Sequence, residues 1–225
     1  MTRFYTFDVQ AADAEVSVFA NGVLVEVFTP GQSGGGPLNS WLRNGVNEVV
    51  FTMKSMGDDA RAMASLELSG PDGYEPLAKY EWPGAEASVS ATLEAEGIPD
   101  WSWLRGDPAP GAADEVKAAV EAAHAQVKDG DREAFFAAAA ALNADMAALS
   151  SRKQVDENNG GLWKLLRKGL SPLGELNIVS FRDGQVYRVT GAEDMGPIQA
   201  VDEDGGVISV GKWWSKVDGT WQMIK

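Results

Sequence analysis

With 225 residues, 44% of them apolar and 23% charged, the chain has the composition of an ordinary folded protein of one large domain or two small ones. Its net charge of −14 divides as 16 acids against 6 bases in residues 1–108 and 17 against 13 thereafter. A surface this negative repels phosphate backbones and acidic bilayers, so nucleic acid and membrane are poor partners. The absence of cysteine removes disulfides, thiolate nucleophiles, zinc–thiolate sites and iron–sulfur clusters. Residues 1–8 lack the apolar stretch of a signal peptide. The longest apolar run, 134–142, is too short for a membrane span. A soluble, cytoplasmic protein is the expectation.

From Arg3 to Trp103 the hydrophobic period is two. Tyr5, Phe7 and Val9 alternate with smaller or polar neighbours, as do Val16, Val18 and Ala20, then Val23, Val25 and Val27. Asn21-Gly22 between the last two runs predicts a hairpin, because a type I′ turn needs positive φ at both central residues. The alternation continues in Val49/Phe51/Met53, Ala62/Ala64/Leu66/Leu68 and Val89/Ala91/Leu93, with turns at Gly70-Pro71-Asp72-Gly73 and Pro83-Gly84. Short strands, turn-rich connections and no helical stretch predict an all-β antiparallel sandwich over 1–107. The stretch Gly31-Gln32-Ser33-Gly34-Gly35-Gly36 lacks the Lys-Ser/Thr end of a phosphate loop and no helix follows it, so a flexible sandwich loop is expected.

Gly106-Asp107-Pro108-Ala109-Pro110-Gly111 then interrupts the pattern, and a linker is placed at 108–111. Beyond it the period becomes 3.6. Val116, Ala119, Val120, Ala123 and Val127 line one helical face. Gly130 suits a left-handed C-cap and Asp131 the next N-cap. A second helix carries Phe135, Ala139, Leu142, Met146 and Leu149, forming a helical hairpin with the first. A third helical piece is expected at 162–168, after a break at Asn158-Asn159-Gly160-Gly161. Strands return from Glu175, with hairpins across Arg182-Asp183-Gly184-Gln185 and Asp218-Gly219, the latter joining 207–216 to 220–224. Residues 112–225 are therefore read as an α+β domain: a helical hairpin and a third helix on a curved antiparallel sheet.

The segment Asn21-Gly22, followed by Leu42-Arg43-Asn44-Gly45-Val46-Asn47 entering Glu48-Val49-Val50-Phe51, resembles jelly-roll sandwiches of the galactose-binding-like superfamily. That resemblance implies either a sugar-binding module or a scaffold, and carries over no sugar-contacting residue. The second half resembles the cone-shaped fold of nuclear-transport-factor-like, ketosteroid-isomerase-like and polyketide-cyclase-like proteins. The resemblance rests on Val127-Lys128-Asp129-Gly130-Asp131 with Phe135 and Phe136, and on the ending from Trp213 to Ile224. It implies a pocket between helices and sheet. The catalytic Asp/His and oxyanion Tyr of the enzymatic members have no identified counterpart here.

Single features of the chain have ordinary structural explanations. His124, the only histidine, lies at the edge of an apolar helical stripe and reads as a boundary residue. Asp202-Glu203-Asp204-Gly205-Gly206 fails the spacing of a calcium loop and reads as a solvated turn. Lys164, Arg167 and Lys168 make a basic amphipathic piece, expected as a surface helix face, with a lid offering cations to an acidic ligand or a docking face for the acidic first domain as alternatives. Trp101 and Trp103 point to one side of an extended chain and are expected to seal a domain interface, with a sugar-stacking platform as the alternative.

No catalytic set, cofactor site or metal site emerges. Asp145, Trp163, Tyr187, Asp194, Trp213 and Trp214 are the candidate pocket residues of the α+β domain. One of Trp213 and Trp214 must face the concave side of the sheet. The leading expectation is a non-catalytic protein that binds an unassigned small molecule or another protein. The alternatives are a small-molecule isomerase, lyase or cyclase, with Asp145 or Asp194 as base and Tyr187 as hydrogen-bond donor, and carbohydrate binding by the sandwich.

Overall fold

The computed structural model describes residues 3–70, 73–82 and 86–225. The predicted turns at Pro71-Asp72 and Pro83-Gly84 lie outside the described residues. The chain divides into two compact units, Met1–Pro99 and Asp100–Lys225.

The first unit is a pair of antiparallel sheets. Strands β1 (Phe4–Ala12), β2 (Ala14–Ala20), β3 (Val23–Phe28), β4 (Ser33–Pro37), β5 (Gly45–Ser55), β6 (Arg61–Gly70), β7 (Gly73–Trp82) and β8 (Ala87–Ala95) follow in chain order. They form two four-stranded sheets, ordered β4-β1-β6-β7 and β3-β2-β5-β8. The predicted alternation holds where it is clearest: Tyr5, Phe7, Val9, Val16, Val18, Val49, Phe51, Met53, Ala62, Ala64 and Leu66 are buried. Side chains of opposite sheets meet between them, with Phe7 edge-on to Phe28 at 6.1 Å and Phe51 tilted against Tyr80 at 6.0 Å. Asn21 and Gly22 take φ of 49° and 78°, as the hairpin turn requires.

Two sequence expectations change here. In β3 a bulge between Val18 and Phe19 shifts the register, so Val23 and Phe28 face inward while Val25 and Val27 do not. One inserted residue moves every later side chain to the other face. The glycine-rich stretch expected to be a loop contains strand β4, paired to β1 through Ser33↔Gln10, Gly35↔Asp8 and Pro37↔Thr6. A Cβ on Gly35 would lie 2.1 Å from the Phe7 carbonyl oxygen. Only glycine permits this approach of the two backbones.

The segment that joins Trp41 to β5 is held by asparagine side chains. Asn47 is buried and uses its whole amide. Its Oδ1 accepts from Arg43 N–H and Asn21 Nδ2, both at 2.8 Å, and its Nδ2 donates to the carbonyls of Arg43 (2.8 Å) and Gly45 (2.7 Å). Asn21 also donates to the Trp41 carbonyl at 2.8 Å and accepts from Glu48 N–H at 3.2 Å. Asn44 pairs with both backbone groups of Ile98, and Asn39 with Tyr5 N–H and the Arg3 carbonyl. Asn21, Asn44 and Asn47 of the motif that resembles a sugar-binding superfamily are thus engaged within the fold.

The second unit carries helices α1 (Ala113–Asp129), α2 (Arg132–Ala138), α3 (Ala140–Leu149) and α4 (Arg152–Gly169). Strands β9 (Asn177–Phe181), β10 (Val186–Thr190), β13 (Trp213–Val217) and β14 (Thr220–Met223) make a sheet ordered β14-β13-β10-β9. Strands β11 (Ile198–Val201) and β12 (Val207–Val210) form a separate hairpin. The core lies between helices and strands: Val116, Val120, Ala123 and Val127 of α1, Phe135 of α2 and Leu166 of α4 meet Tyr187, Val189, Trp214 and Met223. The sequence thus yields an all-β unit followed by an α+β unit. Among the described residues no helix is long and apolar enough to cross a membrane.

Local expectations for this unit are partly met. Gly130 is a left-handed C-cap (φ 85°), and the Asp131 side chain accepts from Ala134 N–H. The single second helix is instead broken at Ala139 (φ −106°, ψ 15°). That break changes the helical phase, so Ala141 and Asp145 turn inward while Met146 and Leu149 are exposed. The third helix begins ten residues earlier than expected and runs through Asn158–Gly161. Ser151 caps it by accepting from Gln154 N–H, and the pairs Arg152–Asp156 and Lys153–Glu157 support its first turns. These local terms offset two helical glycines, each costing about 1 kcal/mol against alanine. The strand expected at 207–216 breaks at Gly211 (φ 78°) into β12, which pairs with β11, and β13, which pairs with β14.

The proline-rich run at 106–111 lies inside the second unit rather than between the two. Asp107 bridges to Lys216, Ala109 N–H donates to the Gly184 carbonyl, and Gly106 packs against Ser215.

Replacing Asn47 with leucine strips partners from the backbone groups at 43 and 45 and from Asn21 Nδ2, all in part-buried bonds. Each unmet group costs about 1–3 kcal/mol, so Asn47→Leu is expected to lower stability by about 2–4 kcal/mol in urea unfolding. A loss below about 1 kcal/mol would show that this network contributes little.

Candidate functional site

The six pocket candidates of the α+β unit are dispersed, and most are consumed by internal bonds. Tyr187 is buried in β10. Its hydroxyl donates to the Ala109 carbonyl at 2.6 Å and accepts from Ala112 N–H at 3.0 Å, pinning the start of α1 to the sheet. Its ring meets Trp221 edge-on at 5.3 Å. Trp214 faces the helices within the core, and its Nε1 donates to the Gly211 carbonyl at 2.6 Å. Trp213, one residue along β13, points to the opposite face, where it meets Phe181 at 6.1 Å and the Arg188 guanidinium at 5.9 Å. Trp163 sits among Phe135 and Phe136 at 5.8 and 6.0 Å. Asp194 is half-exposed and ion-pairs with Arg188 and with Lys212.

Asp145 is the buried carboxylate of this unit. Ser102 donates to it twice, from its hydroxyl at 2.8 Å and from its backbone N–H at 3.0 Å. The carboxylate thereby fastens the 3-10 turn Ser102–Arg105 to α3. Burial raises its pKa above the ordinary 3.8, while the Ser102 bonds and the Arg105 charge pull it back. Trp101 and Trp103 are both buried, and the Arg182 guanidinium stacks 5.4 Å over the Trp103 ring. Neither indole presents an exposed face to a sugar.

The remaining sequence features also have structural roles. His124 Nε2 lies 2.9 Å from the Ser171 carbonyl and donates to it. Arg167 caps the C-terminus of α1 through the carbonyls of Val127 and Lys128, both at 2.7 Å, and Lys168 pairs with Glu203. The Asp202 side chain accepts from Asp204 and Gly206 N–H, closing its own turn.

A concave site without such internal closure lies in the sandwich unit. Among the described residues, a cleft of about 860 Å³ is lined by strand ends of the β4-β1-β6-β7 sheet and the turn before β4. That volume is within the roughly 300–1,000 Å³ of small-molecule sites. Register explains the assembly: Ser33, Gln10, Met63 and Glu81 stand side by side on four successive strands. Because alternate residues point to opposite faces, this row shares the outer face of the sheet with Arg61. Met63 is 37% exposed, and the buried Trp82 adds to the apolar lining.

Hydrogen-bonding capacity in the cleft is largely uncommitted. Gln32 Oε1 accepts from Thr29 N–H at 2.8 Å, which leaves its Nε2 as the outward group. Glu81 is paired with Lys79 at 3.0 Å. Among the described residues the side chains of Gln10, Ser33 and Arg61 have no partner. The arrangement can bind a polar small molecule, and among the described residues Ser33 and Glu81 are not hydrogen-bonded to each other. Sequence reasoning missed it because β4 and β7 were not recognised as strands, and only their pairing puts Ser33 and Glu81 in one row with Gln10 and Met63.

Asp145 predicts a pH dependence of stability. A carboxyl whose folded pKa is raised binds protons more tightly when folded. Its contribution is therefore fully present below the unfolded value of about 3.9 and is lost as pH rises through the raised folded pKa. Urea unfolding of the parent chain and Asp145→Asn across pH 3–7 should show the parent losing stability relative to the variant as pH increases. Parallel curves would show that burial does not perturb this carboxyl.

The chain matches no family model, no curated protein and no solved structure.

Proposed function

We propose that the protein is a non-catalytic binding protein whose sandwich unit takes a small polar molecule in the cleft formed by residues 10–12, 31–33, 61–63 and 81–82. The carrying observation is the contrast in polar satisfaction. The tyrosine and carboxylate candidates of the α+β unit are held by internal partners, whereas Gln10, Ser33 and Arg61 line the cleft with none among the described residues. Hydrogen-bonding groups beside the partly exposed Met63 suit a ligand with polar edges and a less polar face. A carbohydrate or another polyhydroxylated molecule has that character. In this reading the protein works in a soluble, cytoplasmic setting, and its acidic surface supports partners other than nucleic acid or membrane.

An isomerase, lyase or cyclase acting in the α+β unit keeps one supporting observation, the buried Asp145 with its raised pKa. Against it stand the two Ser102 donors that occupy the carboxylate and the packing of Trp214, Tyr187 and Met223 between helices and sheet.

Titrating sugars and small organic acids while following tryptophan fluorescence tests the binding reading. Met63 points outward and is partly exposed, so Met63→Tyr fills the cleft without disturbing the core. Saturable binding by the parent chain, weakened at least tenfold in Met63→Tyr with an unchanged melting curve, is expected. Equal binding by both proteins would place the ligand elsewhere.

A further inference from the structure

The charge arrangement around the cleft narrows its ligand. Residues 1–99 carry 14 acidic and 5 basic side chains. Of the basic five, Arg3 pairs with Glu96 and Lys79 with Glu81, while Arg43 Nε bonds the Val46 carbonyl. Among the described residues Arg61 is the only cation lining the cleft, and its guanidinium has no acceptor. Glu81 lines the same cleft, and Asp58 and Asp59 line a second cleft with Arg61, yet among the described residues none of the three forms an ion pair with it. Lys79, two residues along the same outer face of β7, holds Glu81 instead. The fork of Arg61 is left open.

The other polar groups make the cleft rich in donors. Gln32 has spent its carbonyl oxygen on Thr29 N–H and offers only its NH₂. Ser33 adds a hydroxyl and Gln10 an amide. A site with more donors than acceptors selects a ligand rich in acceptors, and a planar five-donor guanidinium fits a carboxylate in bidentate fashion. The surrounding excess of acid sets an upper limit on ligand charge, because a dianion meets the repulsion of the whole unit with one arginine to offset it.

We propose that the cleft recognises a small polar molecule bearing one carboxylate, gripped by Arg61 and flanked by hydrogen bonds from Gln10, Gln32 and Ser33. The proposal rests on the reading that this cleft is the ligand site. It makes Arg61 the specificity-determining residue.

Matched probe pairs separate the two claims. Amide chemical shifts of the full chain are followed by NMR during titration with glucuronate against glucose, with glycolate against ethylene glycol, and with inorganic phosphate. The expected result is shifts at residues 10–12, 31–33, 61–63 and 81–82. Each acid should bind at least tenfold more tightly than its neutral partner. That advantage should be abolished in Arg61→Gln, reduced in Arg61→Lys, and weakened by added salt. Equal affinity for acid and neutral partners would overturn the carboxylate proposal while leaving the cleft as a ligand site. Absence of shifts in the cleft with every probe would overturn both. Phosphate binding more tightly than either acid would overturn the limit to a single negative charge.

Discussion

Between Trp41 and the start of β5 the chain leaves one regular element and enters another, and its backbone has no ladder to satisfy it. The carbonyls of Trp41, Arg43 and Gly45 and the amides of Arg43 and Glu48 all find partners in the side chains of Asn21 and Asn47. A primary amide presents a carbonyl and two N–H groups, so a buried asparagine can stand in for a missing peptide neighbour. Such a network stabilises only if every member is satisfied, since an unmet buried group costs more than a formed bond returns. Asn21 belongs to the β2–β3 turn and Asn47 to β5, so their bond at 2.8 Å ties the hairpin to the strand beside it. The joint lies at the end of the β2–β5 ladder, next to the pair Ala20↔Val49.

The same accounting separates structural from functional polarity across the molecule. In the α+β unit, Tyr187, Asp145, His124 and Arg167 each hold backbone groups at helix ends or in the connections between elements. Residue types associated with catalysis are here used as joints. At the outer end of the β4-β1-β6-β7 sheet the balance reverses: the side chains are polar, adjacent and mostly uncommitted. Strand pairing, rather than any local motif, assembles them.

The sequence revealed alternation, turns and caps because each of these is written within a few residues. Asn21-Gly22 and Gly130-Asp131 behave as their chemistry requires, and the change of period from two to 3.6 separates sandwich from α+β unit. What escaped is set by distant partners. Strand β4 has no side-chain pattern, and its identity follows from Gly35 approaching the Phe7 carbonyl. The bulge at Val18/Phe19 inverts β3 without a local signal. Two glycines at 160 and 161 suggested a helix break, yet Ser151 and the ion pairs that follow carry α4 through them. The cleft was least legible, because its residues come from four strands and carry no spacing of their own.

Strand β4 has a consequence for how this sheet can associate. It is a border strand of five residues ending in Pro37, which has no N–H to extend a ladder. The opposite border, β7, contains Pro76 and Lys79 and is displaced by an irregularity opposite Leu66/Glu67. Interrupted hydrogen bonding on both borders, with charge along β7, obstructs edge-to-edge addition of another chain. The sheet can therefore remain open at both sides without polymerising, and recognition on its outer face falls to side chains rather than to an added strand.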